Sequence, residues 1–201
     1  QELRLSAEIG DMVELTAGGY YYTADSNIGG RVHVGAAGLD FVPDDPFEQE
    51  SISGFLHGVV HVTDRFNLTG GVRYTHEDKT YTFSRTRPIP GVPTNPLVAS
   101  LEGLSRGFKG DRVDWRVAAD YELVDDVRAY AQVATGFKGG GVNPRPFAAD
   151  QQLPFSPETL TTYEVGFKSD FLDRRLRLNG AAFLNKYKDI ILGKAVCPES
   201  T

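Results

Sequence analysis

The sequence predicts an all-β protein, an antiparallel up-and-down segment of a transmembrane β-barrel with about eight strands. The first observation is composition: of 201 residues, 22 are Gly, 11% are aromatic and 40% are hydrophobic, which favours aromatic-rich sheets over helices. The second is alternation of apolar and charged residues along each predicted strand. The third is that short turns and long loops alternate as connections between the predicted strands. No apolar run reaches the ~20 residues that a membrane-spanning helix needs.

The predicted strands form four hairpins. Each hairpin closes on a short turn, and successive hairpins are joined by long Gly-, Asp- and Pro-rich loops. Barrels of the outer membrane have this layout, whereas soluble sandwiches space their turns more evenly. The predicted strands are residues 2–9, 12–24, 50–62, 66–83, 111–124, 127–137, 158–170 and 174–188, and the long loops are residues 25–49, 84–110 and 138–156.

The alternation gives each strand one apolar and one charged face, because side chains point to opposite faces in turn. In the predicted fifth strand, Val113, Trp115 and Val117 alternate with Asp114 and Arg116. The other strands with this pattern carry Val72 opposite Arg73, and Val165 opposite Glu164 and Lys168.

Small residues on the apolar faces distinguish a lipid-facing surface from a packed core. A soluble core would be underpacked by them, whereas lipid requires no close fit. Tyrosines near the strand ends predict an interfacial aromatic girdle. The small residues are Gly54, Gly58, Gly70, Ala119, Ala129, Ala131, Gly180 and Ala182, and the tyrosines are Tyr20, Tyr22, Tyr74, Tyr81, Tyr121, Tyr130 and Tyr187.

Charge and cysteine content limit the classes of function. A net charge of −6 and a pI near 5.2 argue against a nucleic-acid partner, since phosphate binding requires a clustered basic face. The single Cys197 cannot form an internal disulfide. The chain begins QELRLS and ends CPEST, and neither resembles a natural terminus, so we expect an internal fragment.

No arrangement of residues predicts an enzyme, a catalytic residue, a metal site or a cofactor. The glycine run at residues 139–141 is interpreted as loop flexibility rather than a phosphate cradle, because Val-Asn-Pro-Arg-Pro follows it instead of a helix. His57 and His61 lie about 13 Å apart on one strand face, too far to share a metal. Asp44, Asp45 and Glu48 lack a calcium-loop pattern and are interpreted as a solvated acidic loop.

Asn143, Arg145 and Phe147 are the candidate ligand-contacting residues. They lie in the third long loop, where Pro144 and Pro146 stiffen the chain around Arg145. Loops on a rigid scaffold commonly carry binding residues. The alternative interpretation is a purely structural role in the loop.

Four segments resemble the barrel of TonB-dependent outer-membrane receptors. GFKGGGVNPRPF at residues 136–147 is similar to a strand end of that family, and SPETLTTYEVGFKSDFLDRRLRLNGAAF at residues 156–183 is similar to its next two strands. GVRYTHEDK at residues 71–79 and the initial QELRLS also match in the family's order. The individual matches are Tyr130, Thr135, Gly136, Phe137, Lys138, Gly140, Gly141, Pro157, Glu158, Tyr163, Glu164, Gly166 and Lys168.

This resemblance implies a 22-stranded barrel whose lumen holds an N-terminal plug. Residues 1–201 would then be a partial barrel domain without plug or C-terminal strands, forming an open, curled sheet. The implied function is active import of a scarce nutrient such as a ferric siderophore, in contact with outer-membrane lipid and powered by TonB–ExbB–ExbD through the plug. The alternatives are a passive porin-like segment and a soluble β-sandwich binding module.

Overall fold

A computed structural model describes residues 1–85 and 89–193, so Cys197 lies outside the described residues. Eight long strands form one antiparallel sheet in the order β1-β2-β5-β6-β7-β8-β11-β12, and β3–β4 and β9–β10 form two small hairpin-like pairs. The strands are β1 (Glu2–Ile9), β2 (Val13–Gly29), β3 (Val32–Val34), β4 (Leu39–Phe41), β5 (Asp44–Thr63), β6 (Phe66–Thr82), β7 (Ser105–Val124), β8 (Val127–Lys138), β9 (Gly141–Val142), β10 (Pro154–Phe155), β11 (Glu158–Phe171) and β12 (Leu176–Lys188), and one short helix, α1, spans Pro96–Ala99.

The predicted fold class is confirmed. Neighbouring strands in the chain are neighbours in the sheet, and the sheet ends at β1 and β12 without closing. The four hairpins β1–β2, β5–β6, β7–β8 and β11–β12 have short turns at one end, as predicted. Left-handed backbone at Gly10 (φ 59) and Asp126 (φ 63) makes two of these turns tight, as turn geometry requires.

The register fixes which residues share a face. Val72 lies opposite Trp115 on β7 and Leu56 on β5, and Leu56 lies opposite Ala17 on β2. On the other half of the sheet, Val165 lies opposite Ala131. Directly opposed residues point to the same side of a sheet, so one apolar face runs across all eight strands.

This apolar face is exposed, which excludes a two-layer core. Val72 is 46% exposed, Trp115 43% and Val165 58%. Along β7 the apolar outer positions extend from Val113 to Leu123, and Asp111 and Lys109 follow them on the same face. This run matches the ~9–11 residues that a tilted strand needs to cross a bilayer. We therefore expect this face to contact lipid.

The opposite face is polar and internally bonded. The Arg73 guanidinium donates to Ser53 Oγ at 2.6 Å and lies 5.5 Å from the centroid of the Tyr20 ring. Tyr130 Oη donates to Glu164 Oε1 at 2.6 Å. In a barrel such a face lines the aqueous interior.

The aromatic prediction is only partly correct. Tyr74 and Tyr121 lie on the apolar face near the borders of its apolar band, where Tyr21 and Tyr163 also lie by register. The register places the other predicted girdle tyrosines on the polar face. A position near a strand end does not by itself determine which face of the sheet a side chain occupies. These are Tyr20, Tyr22, Tyr81, Tyr130 and Tyr187.

Two predicted loops are too long. Strands β2 and β5 remain paired up to Gly29 and Asp44, and β7 already begins at Ser105, opposite Thr82. On these extensions the outer face becomes polar, while the inner face carries apolar residues such as Phe47, which packs on the loop core. The pattern of apolar outer and polar inner residues that identifies the membrane-crossing part is therefore lost there. Conversely, β12 begins at Leu176 rather than residue 174, because residues 172–174 adopt left-handed backbone.

Helix α1 lies within the second long loop. Asn95 Oδ1 accepts from the Leu97 amide at 2.9 Å and Pro96 occupies the first turn, which together cap the helix N-terminus. Among the described residues, no helix has the length and apolar character to span a membrane.

The two faces of β8 allow a direct test of their surroundings. Ala131 lies on the apolar face, and its neighbour Gln132 lies on the polar face opposite Glu164. Ala131→Arg is expected to destabilise the protein in lipid vesicles by about 2–4 kcal/mol, because a charge near the bilayer midplane must be desolvated. Unfolding in urea, followed by tryptophan fluorescence, measures the change.

The matched control is Gln132→Arg, which places the same charge beside Glu164 on the polar face. We expect less than about 1 kcal/mol for it. Equal destabilisation by both substitutions would contradict the assignment of the two faces.

Candidate ligand-binding site

The buried core of the protein lies among the long loops, beyond the apolar band. Tyr81, at the end of β6, packs with Phe83 and Leu101, and the last two are completely buried. A second cluster joins Leu39 and Phe41 of the β3–β4 pair to other loop residues. The loops at this end are therefore packed against one another.

A buried ion pair lies within this core. Arg85 Nη2 is 2.8 Å from Asp45 Oδ2, and their side chains are 4% and 1% exposed. Tyr81 Oη donates to the same carboxylate oxygen at 2.8 Å, and the Ser84 amide donates to Oδ1 at 2.8 Å. Burial, together with the hydrogen bond to Asp45, raises the pKa of Tyr81. The predicted solvated acidic loop is thus wrong for Asp45, whose charge is satisfied internally.

Arg85 also binds the third long loop. Its Nη1 donates to the Pro146 carbonyl at 2.5 Å and its Nη2 to the Pro144 carbonyl at 2.9 Å. Tyr81 Oη is 3.2 Å from the Pro144 carbonyl as well. The residues on either side of Arg145 are consequently fixed from within the core.

The three predicted ligand-contacting residues fall into two groups. Asn143 Oδ1 accepts from the Arg145 amide at 3.1 Å, and its Nδ2 donates to the Gln151 carbonyl at 3.1 Å. Gln151 in turn accepts from the Phe147 amide at 2.8 Å. Asn143 therefore shapes the loop, whereas the side chains of Arg145 and Phe147 are exposed.

A cavity of about 390 Å³ lies between the first and third long loops. Arg145 and Phe147 line it together with Arg31, which lies between β2 and β3. The remaining lining includes apolar residues such as Ile28 and Phe41, and the ion pair of Asp45 and Arg85 forms part of the same wall. The cavity thus combines cationic groups with apolar walls, as small-molecule sites commonly do.

The two exposed arginines of this cavity differ in their partners. Arg31 donates twice to the Asp40 carboxylate, at 2.8 and 2.7 Å, and these hydrogen bonds lower the pKa of Asp40. Across residues 1–85 and 89–193, the Arg145 guanidinium has neither an ion pair nor a hydrogen bond. Arg145 is therefore the better placed of the two to pair with an anionic ligand.

The glycine run serves close approach rather than loop flexibility. A Cβ on Gly140 would lie 2.5 Å from the Phe155 carbonyl oxygen, and Lys79 Nζ donates to the Gly140 carbonyl at 3.2 Å. Gly141 already belongs to β9, which pairs with β10. The loop that presents Arg145 thus begins as an ordered, closely packed segment.

The fold and this site together define a class. An antiparallel section of sheet with an apolar outer face, a polar inner face and a loop cavity at one end is part of the wall of an outer-membrane β-barrel. Over residues 1–201 the chain matches the family described as TonB dependent receptor-like, beta-barrel, and it belongs to that family. An outer-membrane location follows from this membership.

Similar proteins agree with this assignment. The pesticin receptor of Yersinia pestis is 32% identical over 143 residues, which cover 71% of this chain and 20% of that protein. The crystal structure of the ferric yersiniabactin uptake receptor FyuA from Yersinia pestis matches with a TM-score of 0.76 at 26% identity, covering 94% of this chain and 28% of that one. The chain spans about a fifth of the length of the pesticin receptor.

More distant proteins share the fold. The catecholate siderophore receptor Fiu of Escherichia coli O157:H7 is 23% identical over 151 residues, which cover 68% of this chain and 20% of that protein. The structure of the closed form of Fiu from Escherichia coli K12 matches with a TM-score of 0.67 at 17% identity, covering 92% of this chain and 30% of that one.

Four residues of this site are not predicted from the sequence. Asp45 and Arg85 lie 40 positions apart, and Arg31 and Tyr81 lie in other segments. Nothing local marks them as partners. The one signal in the sequence is that these residues lie at or near the long-loop ends of strands, and the order of the hairpins places those strand ends side by side.

Glycine substitutions test the ordered start of the third loop. Gly140→Ala should cost about 1–3 kcal/mol locally, because the added methyl group would overlap the Phe155 carbonyl. We expect amides of residues 141–155 to exchange with deuterium at least about fivefold faster, measured by mass spectrometry. Gly136→Ala is the control, since no atom lies within 4 Å of its added Cβ. Unchanged exchange in Gly140→Ala would contradict close packing here.

Proposed function

We propose that this chain is part of the wall and loop surface of a receptor that imports a ferric siderophore. The observation that carries the proposal is the loop cavity, in which Arg145 and Phe147 lie beside apolar walls. A bound anionic chelate of this kind would pair with the guanidinium and place its apolar or aromatic parts against the walls. The names of similar proteins, a ferric yersiniabactin uptake receptor and a catecholate siderophore receptor, support this ligand class.

The rest of the transporter is part of the same proposal. Residues 1–201 would be a partial barrel domain within a 22-stranded barrel, with further strands paired to the edges β1 and β12. A plug inside the barrel would contact the polar face and receive energy from TonB, ExbB and ExbD. Membership in the TonB-dependent receptor family supports this arrangement.

The two alternatives differ in support. The exposed apolar face does not fit a soluble β-sandwich, whose apolar face would be buried between layers. A passive porin shares the strand pattern, and family membership favours an energised receptor instead. Uptake of radioactive iron from ferric yersiniabactin and from a ferric catecholate, in cells with and without TonB, distinguishes the two. We expect uptake only with both the receptor and TonB; uptake without TonB would favour the porin.

Arg145→Gln tests the cavity within the full receptor. Loss of a charge-assisted hydrogen bond worth about 1.5–3 kcal/mol should weaken siderophore binding roughly tenfold or more. Tryptophan fluorescence quenching by the ferric siderophore that cells take up gives the dissociation constant.

Lys109→Gln is the matched control. Lys109 is a 74% exposed cation on the outer face of β7, paired with Asp78 at 2.7 Å, and exposed pairs contribute little. Equal binding by the Arg145→Gln variant and the parent would refute the role of Arg145. Equal weakening by both variants would refute a specific contact as well, because it would show that binding depends only on net charge.

A further inference from the structure

We propose that Arg85 is a positioning residue for the ligand site: it fixes the segment Pro144-Arg145-Pro146 so that the Arg145 guanidinium is presented at the cavity. This inference rests on the proposed function, since positioning matters only where Arg145 contacts a ligand. Arg85 also borders the cavity, but its side chain is only 4% exposed and its donors are bonded to Asp45 and to the two proline carbonyls, so it acts through the loop.

The geometry of Arg85 uses three of its nitrogens. Nε and Nη2 bind Asp45 Oδ2 at 3.2 and 2.8 Å, Nη1 binds the Pro146 carbonyl, and Nη2 also reaches the Pro144 carbonyl. The planar fork of a guanidinium allows these contacts at once, whereas an ammonium group concentrates its donors on one nitrogen. The residue before and the residue after Arg145 are thereby bound to one rigid group.

The support beneath Arg85 is equally well defined. Asp45 neutralises its charge, and the rings of Phe83 and Phe41 lie 5.0 and 5.7 Å from its guanidinium carbon. Tyr81 joins the same arrangement by contacting both Asp45 and Pro144. The position of Arg145 is thus set by Asp45 of β5, by Tyr81 of β6 and by Arg85 three residues beyond the end of β6, and not by the third loop alone.

The contrast between arginine and lysine separates positioning from simple structural support. Arg85→Lys keeps the positive charge beside Asp45 and so keeps the ion pair. It removes the fork, and with it at least one of the two proline carbonyl contacts. The loop end should therefore stay folded while the segment around Arg145 gains freedom.

The experiment uses the full receptor with a nitroxide spin label at Phe147→Cys, in a background whose other cysteines are serine. In Arg85→Lys we expect the label spectrum to show clearly faster motion without any ligand present. A label at Leu153→Cys, which is 69% exposed and farther along the same loop, should be unchanged. Binding of the ferric siderophore, measured in the unlabelled receptor, should weaken about three- to tenfold, since a segment that is mobile in the variant must be immobilised on binding.

The outcomes are distinct. Faster motion at position 147 together with weaker binding supports the proposal. An unchanged spectrum at 147 in Arg85→Lys overturns it, whatever the binding result. Faster motion with unchanged binding also overturns it. In that case Arg85 would hold the loop, but the proposed contact of Arg145 with the ligand would be wrong. Asp45→Asn provides a second variant: it leaves the Arg85 charge without its partner, and equal mobility of the 147 label in this variant and the parent would likewise count against the proposal.

Discussion

The pairing of every strand with its neighbours is the constraint on which the rest of the structure depends. Within hydrocarbon, an unpaired backbone group costs several kcal/mol, so the ladder must stay in register across the apolar band. In the described strands, register shifts occur between His61 and Thr63 and between Glu122 and Val124. Both lie at the short-turn end. A one-residue slip elsewhere would turn Arg73 or Glu164 toward lipid.

The same sheet has a different environment beyond the band. There the outer face of the strands becomes polar, and the inner face packs against the loops. This is where the protein has its buried core, built from Tyr81, Phe83 and Leu101. The membrane part thus needs no packed interior of its own in this section of wall, whereas the loop end needs one to hold irregular backbone in place.

The features that can be predicted from the sequence are those marked by alternating apolar and polar residues within a single strand. Strand β1 is predicted at its observed bounds, and the four hairpins and eight long strands are correct, because each signal lies within one strand or turn. The extensions of β2, β5 and β7 are missed because their outer face is no longer apolar, which is the signal that identifies the membrane-crossing part. In the site, Asn143, Arg145 and Phe147 are predicted as neighbours in one loop and lie together. The ion pair of Asp45 and Arg85 is missed because it depends on sheet register across separate segments.

The buried pair also explains why a stiff loop would be useful at the proposed binding cavity. Ordering one residue's backbone costs about 1–2 kcal/mol of conformational entropy, and a loop that orders only on binding subtracts this from affinity. Pro144 and Pro146 restrict the backbone on either side of Arg145, and Arg85 fixes both of their carbonyls. The cost in conformational entropy of ordering this segment therefore falls on folding and not on binding. The contacts in the sheet and in the loop core offset that cost. Arg31 differs, because Asp40 already occupies its donors. Of Arg31 and Arg145, Arg145 combines a fixed backbone with a guanidinium that has no partner among the described residues, and this combination favours pairing with an anion, as proposed.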